Sequence, residues 1–287
     1  MHITTWIQSR QNPTVKEVCA LHEKKRRVAT GTFYFEGYKL FCEACRRGVT
    51  LQTVFVTEAA AARYEEKLQA LIRDKKDVRV LGVHDAVYQK MSAETAPQGI
   101  LCVARHIDKW KKCTKIEEIP VTHAHLLLCE CIQDPGNLGT VLRTAAAFGY
   151  DGVVLSADCA DLENPKVLRA TMGAAFSLPV YITSDLCEVI WALRNANRMV
   201  AAAALHQDAW PPWTMPDLMQ SVFVIGSEGQ GLRAQTIEAC QGCVTIPMER
   251  QAESLNAAAA ATVLMWEQYR ARQMLKQDTG ENAVPRS

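Results

Sequence analysis

The 287-residue sequence lacks any apolar run close to the roughly 18 residues that a membrane-spanning helix requires. Its first residues, MHITTWIQSR, lack the basic flank and apolar core of a secretion signal, so we expect a cytoplasmic protein that does not contact a membrane. With only 15 Gly and 11 Pro, a collagen-like repeat is excluded. Hydrophobic residues at 48% and charged residues at 22% indicate a soluble globular protein instead.

Several common motifs of nucleotide-binding and hydrolytic enzymes are also missing. There is no G-x-x-x-x-G-K-[ST] sequence, which excludes a P-loop, and no G-x-S-x-G elbow. The glycine-rich GSEGQG at 226–231 follows a late strand, whereas a dinucleotide fold carries its glycines after the first strand. This position disfavours a nicotinamide- or flavin-dependent oxidoreductase, an alternative that absorbance screening for a bound cofactor would test.

The sequence has no pattern typical of a metal site. The seven His are scattered without ligand spacing. The eleven Cys include two CxxC pairs, Cys42 with Cys45 and Cys240 with Cys243, but zinc ribbons keep their pairs close in sequence. We therefore expect reduced, mostly buried thiols and no metal.

The net charge of +1 hides an asymmetry between the two ends of the chain. Residues 1–118 carry 21 Lys and Arg against 14 Asp and Glu, a surplus of seven, and the remaining residues carry a deficit of six. A basic front section suits a polyanionic partner such as RNA. The candidate RNA-binding residues lie on one predicted helix and are Lys16, Lys24, Lys25, Arg26 and Arg27. A solvated helix face is the alternative reading of the same run.

Short apolar strands alternate with helical patterns along the chain, which is typical of an α/β fold. The near-continuous apolar strands of the second section predict a parallel sheet covered on both faces. A length of 287 residues favours about two domains. The predicted parts are a small α/β domain (1–108), a lysine-rich linker (109–120), a larger parallel-sheet domain (121–276) and a tail (277–287).

Three segments at predicted strand exits carry small and polar residues: DPGNLGTVLR at 134–143, GSEGQGL at 226–232 and IPMERQAESLN at 246–256. Ligands of open parallel sheets bind beyond the carboxyl ends of the strands, which is where these segments lie. The sequence therefore predicts one site built from all three.

Together the three segments resemble the three motifs of the SpoU (TrmH-type) RNA 2′-O-methyltransferases, a family of the SPOUT superfamily. The first motif reads NLGTVLR at 137–143, the second VIGSEGQGL at 224–232, and the third IPM at 246–248 followed by ESLN at 253–256. The front section is also similar to the small RNA-binding domain of this family, in NPTVK at 12–16 and FYFEG at 33–37. The resemblance covers nearly the whole chain.

The resemblance implies a C-terminal SPOUT parallel sheet with a trefoil knot and a smaller N-terminal α/β RNA-binding domain. It also implies S-adenosylmethionine as the cofactor, RNA as the substrate and a homodimer whose site draws residues from both subunits. The implied cofactor-binding residues are Gly226, Ile246, Met248 and Leu255. The implied catalytic residues are Arg143, Asn137, Glu228, Ser254 and Asn256.

The sequence therefore predicts an RNA 2′-O-ribose methyltransferase, with Arg143 positioning the reacting groups electrostatically because a guanidinium is hard to deprotonate. Ribosomal RNA is the favoured substrate because the front domain resembles that of ribosomal RNA modifiers. The alternatives are a transfer RNA 2′-O-methyltransferase and a non-catalytic RNA-binding module with the same fold.

Overall fold

The computed structural model describes Ile3 and residues 5–73, 77–249 and 254–278. The strands are β1 (Thr5–Ile7), β2 (Thr32–Glu36), β3 (Leu51–Val56), β4 (Arg79–Val83), β5 (Ile100–Arg105), β6 (Trp110–Lys112), β7 (Leu126–Cys129), β8 (Gly152–Ser156), β9 (Val180–Thr183), β10 (Val200–Ala203), β11 (Val222–Ile225) and β12 (Gly242–Val244). The α-helices are α1 (Pro13–Ala20), α2 (Lys24–Thr30), α3 (Tyr38–Arg46), α4 (Glu58–Ile72), α5 (Asp85–Met91), α6 (Pro135–Ala147), α7 (Pro165–Thr171), α8 (Leu186–Asn195), α9 (Ala234–Ala239) and α10 (Ala257–Asp278). None of these helices combines the length and hydropathy that crossing a lipid bilayer requires.

The chain divides into two compact units. The first contains Met1–Lys109 and Asp161–Ser177, and the second contains Trp110–Ala160 and Leu178–Ser287. Residues 161–177 thus group with the first unit, whereas the sequence placed them in the C-terminal domain. Helix α7 packs on β2 of the first unit, and the buried guanidinium of Arg27 pairs with Asp161 there.

The first unit contains a mixed five-stranded sheet in the order β1-β4-β3-β5-β2. Strands β1, β4 and β3 run parallel, and β5 runs antiparallel to both β3 and β2. Large apolar side chains from the sheet, among them Phe33, Phe35 and Phe55, are fully buried. This burial supplies most of the hydrophobic stabilisation of the unit.

The second unit contains a seven-stranded sheet in the order β12-β10-β11-β7-β8-β9-β6, and every described pair is parallel. Every residue of β7, β8 and β11 is buried, as the apolar runs predicted. The predicted parallel α/β sheet is therefore confirmed. Because the strands are parallel, the carboxyl ends of β7, β10, β11 and β12 meet at one edge of the sheet.

The structure differs from the prediction at 109–120, which the sequence assigned to a linker. Trp110–Lys112 forms the edge strand β6, which pairs in parallel with β9. The Trp110 side chain is buried, while Lys111 and Lys112 face solvent. An edge strand with exposed lysines has the polar composition of a linker, which explains the difference.

The one helix predicted to carry the candidate RNA-binding residues, from Lys16 to Arg27, is two helices, α1 and α2. The break lies at 21–23, where the guanidinium of Arg27 donates to the carbonyl oxygens of Leu21 and His22 at 2.7 and 2.9 Å. Of the predicted tail, only 277 and 278 lie within the described residues.

Candidate active site

The first motif segment forms the start of α6. Asp134 is the N-cap residue, and its carboxylate accepts the backbone N–H of Asn137 at 2.8 Å. Pro135 occupies the first turn, where a missing N–H costs nothing. This local sequence begins the helix immediately beyond β7 and fixes Asn137 in its first turn.

Asn137, Glu228 and Asn256 come together in one hydrogen-bonded cluster. The side-chain amide of Asn137 donates to a carboxylate oxygen of Glu228. The amide of Asn256 donates to the side-chain oxygen of Asn137 at 3.1 Å and to the same Glu228 oxygen at 3.4 Å. Three of the five predicted catalytic residues, one from each motif, therefore lie in direct contact.

The side chain of Asn256 has two functions. Its oxygen accepts the backbone N–H groups of Ala258 and Ala259 at 2.9 and 3.2 Å, which caps the N-terminus of α10. Its NH2 group donates into the cluster. The carboxylate of Glu228 thus lies beside the N-terminal ends of both α6 and α10, where helix dipoles favour negative charge.

The backbone at Gly226 leaves no room for a side chain. A Cβ atom placed there would lie 2.4 Å from the backbone carbon of Gly231 and 2.6 Å from the nitrogen of Leu232. Reciprocal backbone hydrogen bonds between Ser227 and Gly231 close this turn, and Gly231 has a φ of +67°. Gly226 therefore serves close backbone approach and Gly231 a left-handed backbone conformation, two uses to which Gly is suited.

A cavity of about 130 Å³ lies between the exits of β10 and β12 and the start of α10. Its walls include Ile246, Met248, Ser254 and Leu255, which are four of the predicted site residues. Gly226 is not among the residues that line it. The volume is the part that the described residues enclose, since 250–253, including Glu253 of the third motif, lie outside them.

The wall of this cavity that β10 contributes was not predicted from the sequence. Ala203, Ala204 and Leu205 line it, and the Thr245 hydroxyl donates to the carbonyl of Ala204 at 2.6 Å. Two small residues followed by a leucine that is 70% exposed carry no polar signal. The apolar run VAAA of β10 was the available signal, because a parallel strand with this sequence ends at the same edge as the motifs.

Arg143 is placed apart from the cluster. It is exposed on α6, and no hydrogen bond or ion pair joins it to another residue of the described ranges. It lies six positions beyond Asn137, or about 240° around the helix, so the two side chains leave from different faces.

A second polar group at this edge was not predicted. Glu130, which is buried at the end of β7, accepts the backbone N–H of Arg233 at 2.8 Å and the hydroxyl of Thr236 at 2.6 Å. Arg233 also pairs with Asp158. Burial raises the pKa of Asp158, but hydrogen bonds from Ser156 and Arg233 outweigh it, and the net pKa is lowered. This network anchors the start of α9, directly after the second motif.

The thiols behave as buried groups. No set of three or more potential ligands assembles a metal site within the described residues. Burial raises the pKa of Cys102 and Cys129 well above the usual value, and that of Cys240 to about 12. These thiols stay protonated near neutral pH, so they are poor nucleophiles and poor ligands.

Four of the five candidate RNA-binding residues are exposed on α1 and α2: Lys16, Lys24, Lys25 and Arg26. Arg27 differs from the prediction, because it is 4% exposed and its guanidinium bonds to two carbonyls and pairs with Asp161. These contacts show that Arg27 stabilises the first unit and is not part of an exposed basic face.

Comparison with known proteins places this geometry in a family. The sequence model of the SpoU rRNA Methylase family matches residues 124–266, and that of the MRM3-like substrate binding domain matches 12–102. The 23S rRNA (guanosine(2553)-2′-O)-methyltransferase RlmP of Bacillus subtilis (strain 168) is 32% identical over 91% of this chain and 97% of its own. The chain belongs to the SpoU rRNA methylase family.

Solved structures of family members have the same fold. The crystal structure of an RNA 2′-O ribose methyltransferase is 31% identical, with a TM-score of 0.78 over 93% of this chain and 99% of that one. The AdoMet-bound rRNA methyltransferase from Sinorhizobium meliloti is 26% identical, with a TM-score of 0.77 over 93% of this chain and 97% of that one. The predicted SPOUT fold class and family resemblance are thus confirmed.

Proposed function

We propose that this SpoU family member transfers a methyl group from S-adenosylmethionine to a ribose 2′-hydroxyl of ribosomal RNA. The observation that carries the proposal is the Asn137–Glu228–Asn256 cluster, which joins the three family motifs at the edge of the sheet where the cavity opens. A relative that matches this chain over almost its whole length, the RlmP protein of B. subtilis, is named as a methyltransferase of 23S rRNA.

The cavity fits part of S-adenosylmethionine. Small and apolar side chains from β10 and the third motif, among them Ala203, Ile246 and Leu255, provide an apolar slot for the adenine. The turn at Gly226 is closed by backbone contact with Gly231 and Leu232, which fixes the backbone of the second motif next to Glu228. When bound, the cofactor supplies an electrophilic methyl group on a positively charged sulfur.

The residues of this chain would then orient the reacting ribose. The NH2 groups of Asn137 and Asn256 are held by the Glu228 carboxylate, so their positions are fixed before the substrate arrives. Preorganised dipoles of this kind lower the barrier without reorganising during the reaction. Ser254 lies at the cavity wall and makes no hydrogen bond within the described residues, so its hydroxyl is free to bind substrate.

Arg143 would position the 2′-oxygen and the adjacent phosphate, and it would do so from a second subunit. Its exposure and its separation from the cluster support a role in the site of a partner copy. Helix α10, which packs against α6, exposes Val263 and Trp266, the latter 46% exposed. Exposed apolar residues beside an unpaired arginine suit an interface between two copies.

Mixing two inactive variants tests this arrangement. Arg143→Ala and Asn256→Ala each remove one half of a shared site. If the site is shared, heterodimers of the two variants contain one intact site, and methylation returns to a measurable fraction of the wild-type rate. A monomeric mass in light scattering, or no recovery on mixing, would refute the shared site.

The basic first unit would hold the RNA, as its match to a substrate-binding domain supports. The exposed Lys24, Lys25 and Arg26 neutralise phosphates without reading the base sequence. With such a substrate, the protein is expected to work in the cytoplasm.

Transfer of labelled methyl groups tests the function and its alternatives. The protein, incubated with labelled S-adenosylmethionine, is expected to modify ribosomal RNA and to leave transfer RNA unlabelled. Labelling of transfer RNA alone would favour the alternative substrate. An absence of cofactor binding in titration calorimetry would favour a non-catalytic RNA-binding module, although the intact Asn137–Glu228–Asn256 cluster speaks against it.

A further inference from the structure

The first unit contains a cavity of about 580 Å³ at the carboxyl edge of its sheet. Thr57 follows β3, Asp85 follows β4, and Gln98 precedes the antiparallel strand β5, so all three lie at the same edge. The volume falls within the roughly 300–1,000 Å³ of typical small-molecule pockets. Nothing in the proposed methyl-transfer site uses this cavity.

A stack of planar groups borders the cavity. The rings of Tyr38 and Tyr64 lie 4.1 Å apart with an interplanar angle of 4°, and both side chains are half-buried. The guanidinium carbon of Arg63 lies 5.2 Å from the centre of the Tyr64 ring. Tyr64 and Arg63 both line the cavity, so the stack ends at its wall.

The backbone around the cavity is fixed by two glycines. Gly37 has a φ of +104°, and the next N–H, that of Tyr38, donates to the side-chain oxygen of Gln98 at 3.0 Å. Gly99 has a φ of +78°, and a Cβ there would lie 2.3 Å from the Thr57 hydroxyl. The mouth of the cavity is therefore formed in advance by the fold.

The charges around the cavity favour a phosphate on one side and a neutral base on the other. Arg63 and Lys67 are exposed on α4, and neither forms an ion pair within the described residues. Asp85 is also exposed at the cavity, and its carboxylate disfavours a phosphate there. A neutral base with N–H donors suits the cavity itself, and a phosphate suits the Arg63 and Lys67 side.

We propose that this cavity binds an unpaired nucleobase of the RNA substrate, stacked at Tyr64 and Arg63, with a neighbouring phosphate on the exposed cations of α4. Proteins recognise single-stranded RNA by stacking its splayed bases on aromatic and guanidinium planes. The inference rests on the proposed action on RNA and adds a site that selects unpaired over paired RNA.

This surface is distinct from the basic face on α1 and α2. Arg26 lines a separate cavity with Thr32 and Arg79, at the opposite edge of the same sheet. The six residues of β3 separate the two edges by about 20 Å. We therefore expect the affinity for RNA to depend on salt differently at the two surfaces, since phosphate contacts release counterions and base stacking does not.

Fluorescence anisotropy with labelled 12-nucleotide single strands of oligo(A) and oligo(U), and with a 12-base-pair RNA duplex, tests the site. The wild type is expected to bind the single strands more tightly than the duplex. Tyr64→Ala is expected to weaken single-strand binding about tenfold and to leave the slope of log affinity against log salt unchanged. Arg63→Ala is expected to weaken binding and to reduce that slope by about one.

Arg73→Ala is the matched control, because Arg73 is an exposed arginine just beyond the far end of the same helix, about 22 Å from its start. It is expected to bind as the wild type does. Tyr64→Phe keeps the aromatic ring and is expected to bind the single strands as tightly as the wild type does. Melting temperatures identify any variant that fails to fold. If Tyr64→Ala fails to fold, the binding and salt slope of Arg63→Ala decide, and unchanged binding by that variant overturns the inference.

Equal binding of single strands and duplex by the wild type, or unchanged binding by folded Tyr64→Ala, would overturn the inference. Methyl transfer to ribosomal RNA and cofactor titration, measured on the same preparations, separate this failure from failure of the proposed function. Persistent methylation with no preference for unpaired RNA would reject the base site alone.

Discussion

The NH2 group of Asn256 donates to the side-chain oxygen of Asn137 at 3.1 Å, across 119 positions of the chain. The contact joins the first turn of α6 to the capping residue of α10, and the Glu228 carboxylate accepts from both amides. Because Asn256 also caps α10, the capping geometry of that helix sets the geometry of the cluster. A substitution of this one residue therefore acts on both the stability of α10 and the geometry of the site.

Asn256→Asp keeps an oxygen for the cap but replaces the NH2 donors with a second carboxylate beside Glu228. We expect the cap to persist, the repulsion between the two carboxylates to lower the thermal stability modestly, and methyl transfer to fall at least about a hundredfold, as for other preorganised donors. Asn256→Ala loses both functions and is expected to cost about 1 kcal/mol of unfolding free energy as well. Denaturant unfolding and methyl-transfer rates check both variants, and full activity of Asn256→Asp would contradict the role of the NH2 group.

Gly226→Ala is expected to open the turn of the second motif, because the new Cβ would lie within 2.6 Å of backbone atoms of Gly231 and Leu232. Affinity for S-adenosylmethionine should fall more than tenfold in titration calorimetry. Gly229→Ala is the matched control in the same turn, since its Cβ would meet nothing within 4 Å. Equal affinities for the two variants would show that close approach at Gly226 is not required.

Acid is expected to destabilise the second unit through His125. Burial, with Arg272 and then Arg198 nearby, lowers the pKa of His125 to about 3, and its Nε2 has no partner within the described residues. In the folded protein the imidazole of His125 therefore stays neutral at pH values at which it takes up a proton in the unfolded chain. As a result, the free energy of unfolding falls as the pH drops below about 6.5.

His125 alone should lower the free energy of unfolding by about 2 kcal/mol between pH 7 and pH 5. His125→Phe keeps a ring against Tyr150, which now lies 4.0 Å away, and removes the titrating group. Urea unfolding at the two pH values should show a smaller drop for this variant. The same drop in both proteins would assign the acid sensitivity to other groups.

Arg27→Ala is expected to destabilise the first unit by about 3 kcal/mol, because it leaves the carboxylate of Asp161 without its buried partner. Arg26→Ala, next to it but exposed, should change the unfolding free energy by less than about 0.5 kcal/mol. Thermal unfolding compares the two. Similar effects would mean that the Arg27 contacts contribute little to the fold.

The sequence predicted the sheet of the second unit well because its strands are apolar throughout, as in LLLC at 126–129 and VFVI at 222–225. It did not predict β1 or α5, whose short patterns are weak, nor β6, whose exposed lysines resemble a linker. The knot that the family resemblance implies stays a prediction.

The cluster was predictable in its members but not in its contacts. Motif order named Asn137, Glu228 and Asn256, whereas the hydrogen bonds depend on how β7 and β11 pair in the sheet. Glu130 was missed because a single acidic residue at a strand end carries no spacing signal, and Arg27 was misread because sequence does not distinguish a buried arginine from its exposed neighbours.

The most direct test of the proposed chemistry identifies the methylated atom. Ribosomal RNA from a strain that lacks this protein would be incubated with the protein and S-adenosylmethionine carrying a labelled methyl group, digested to nucleosides and examined by mass spectrometry. The proposed function predicts a labelled nucleoside with the methyl group on its ribose. Label on a base, or no transfer under conditions in which the cofactor binds, would contradict it.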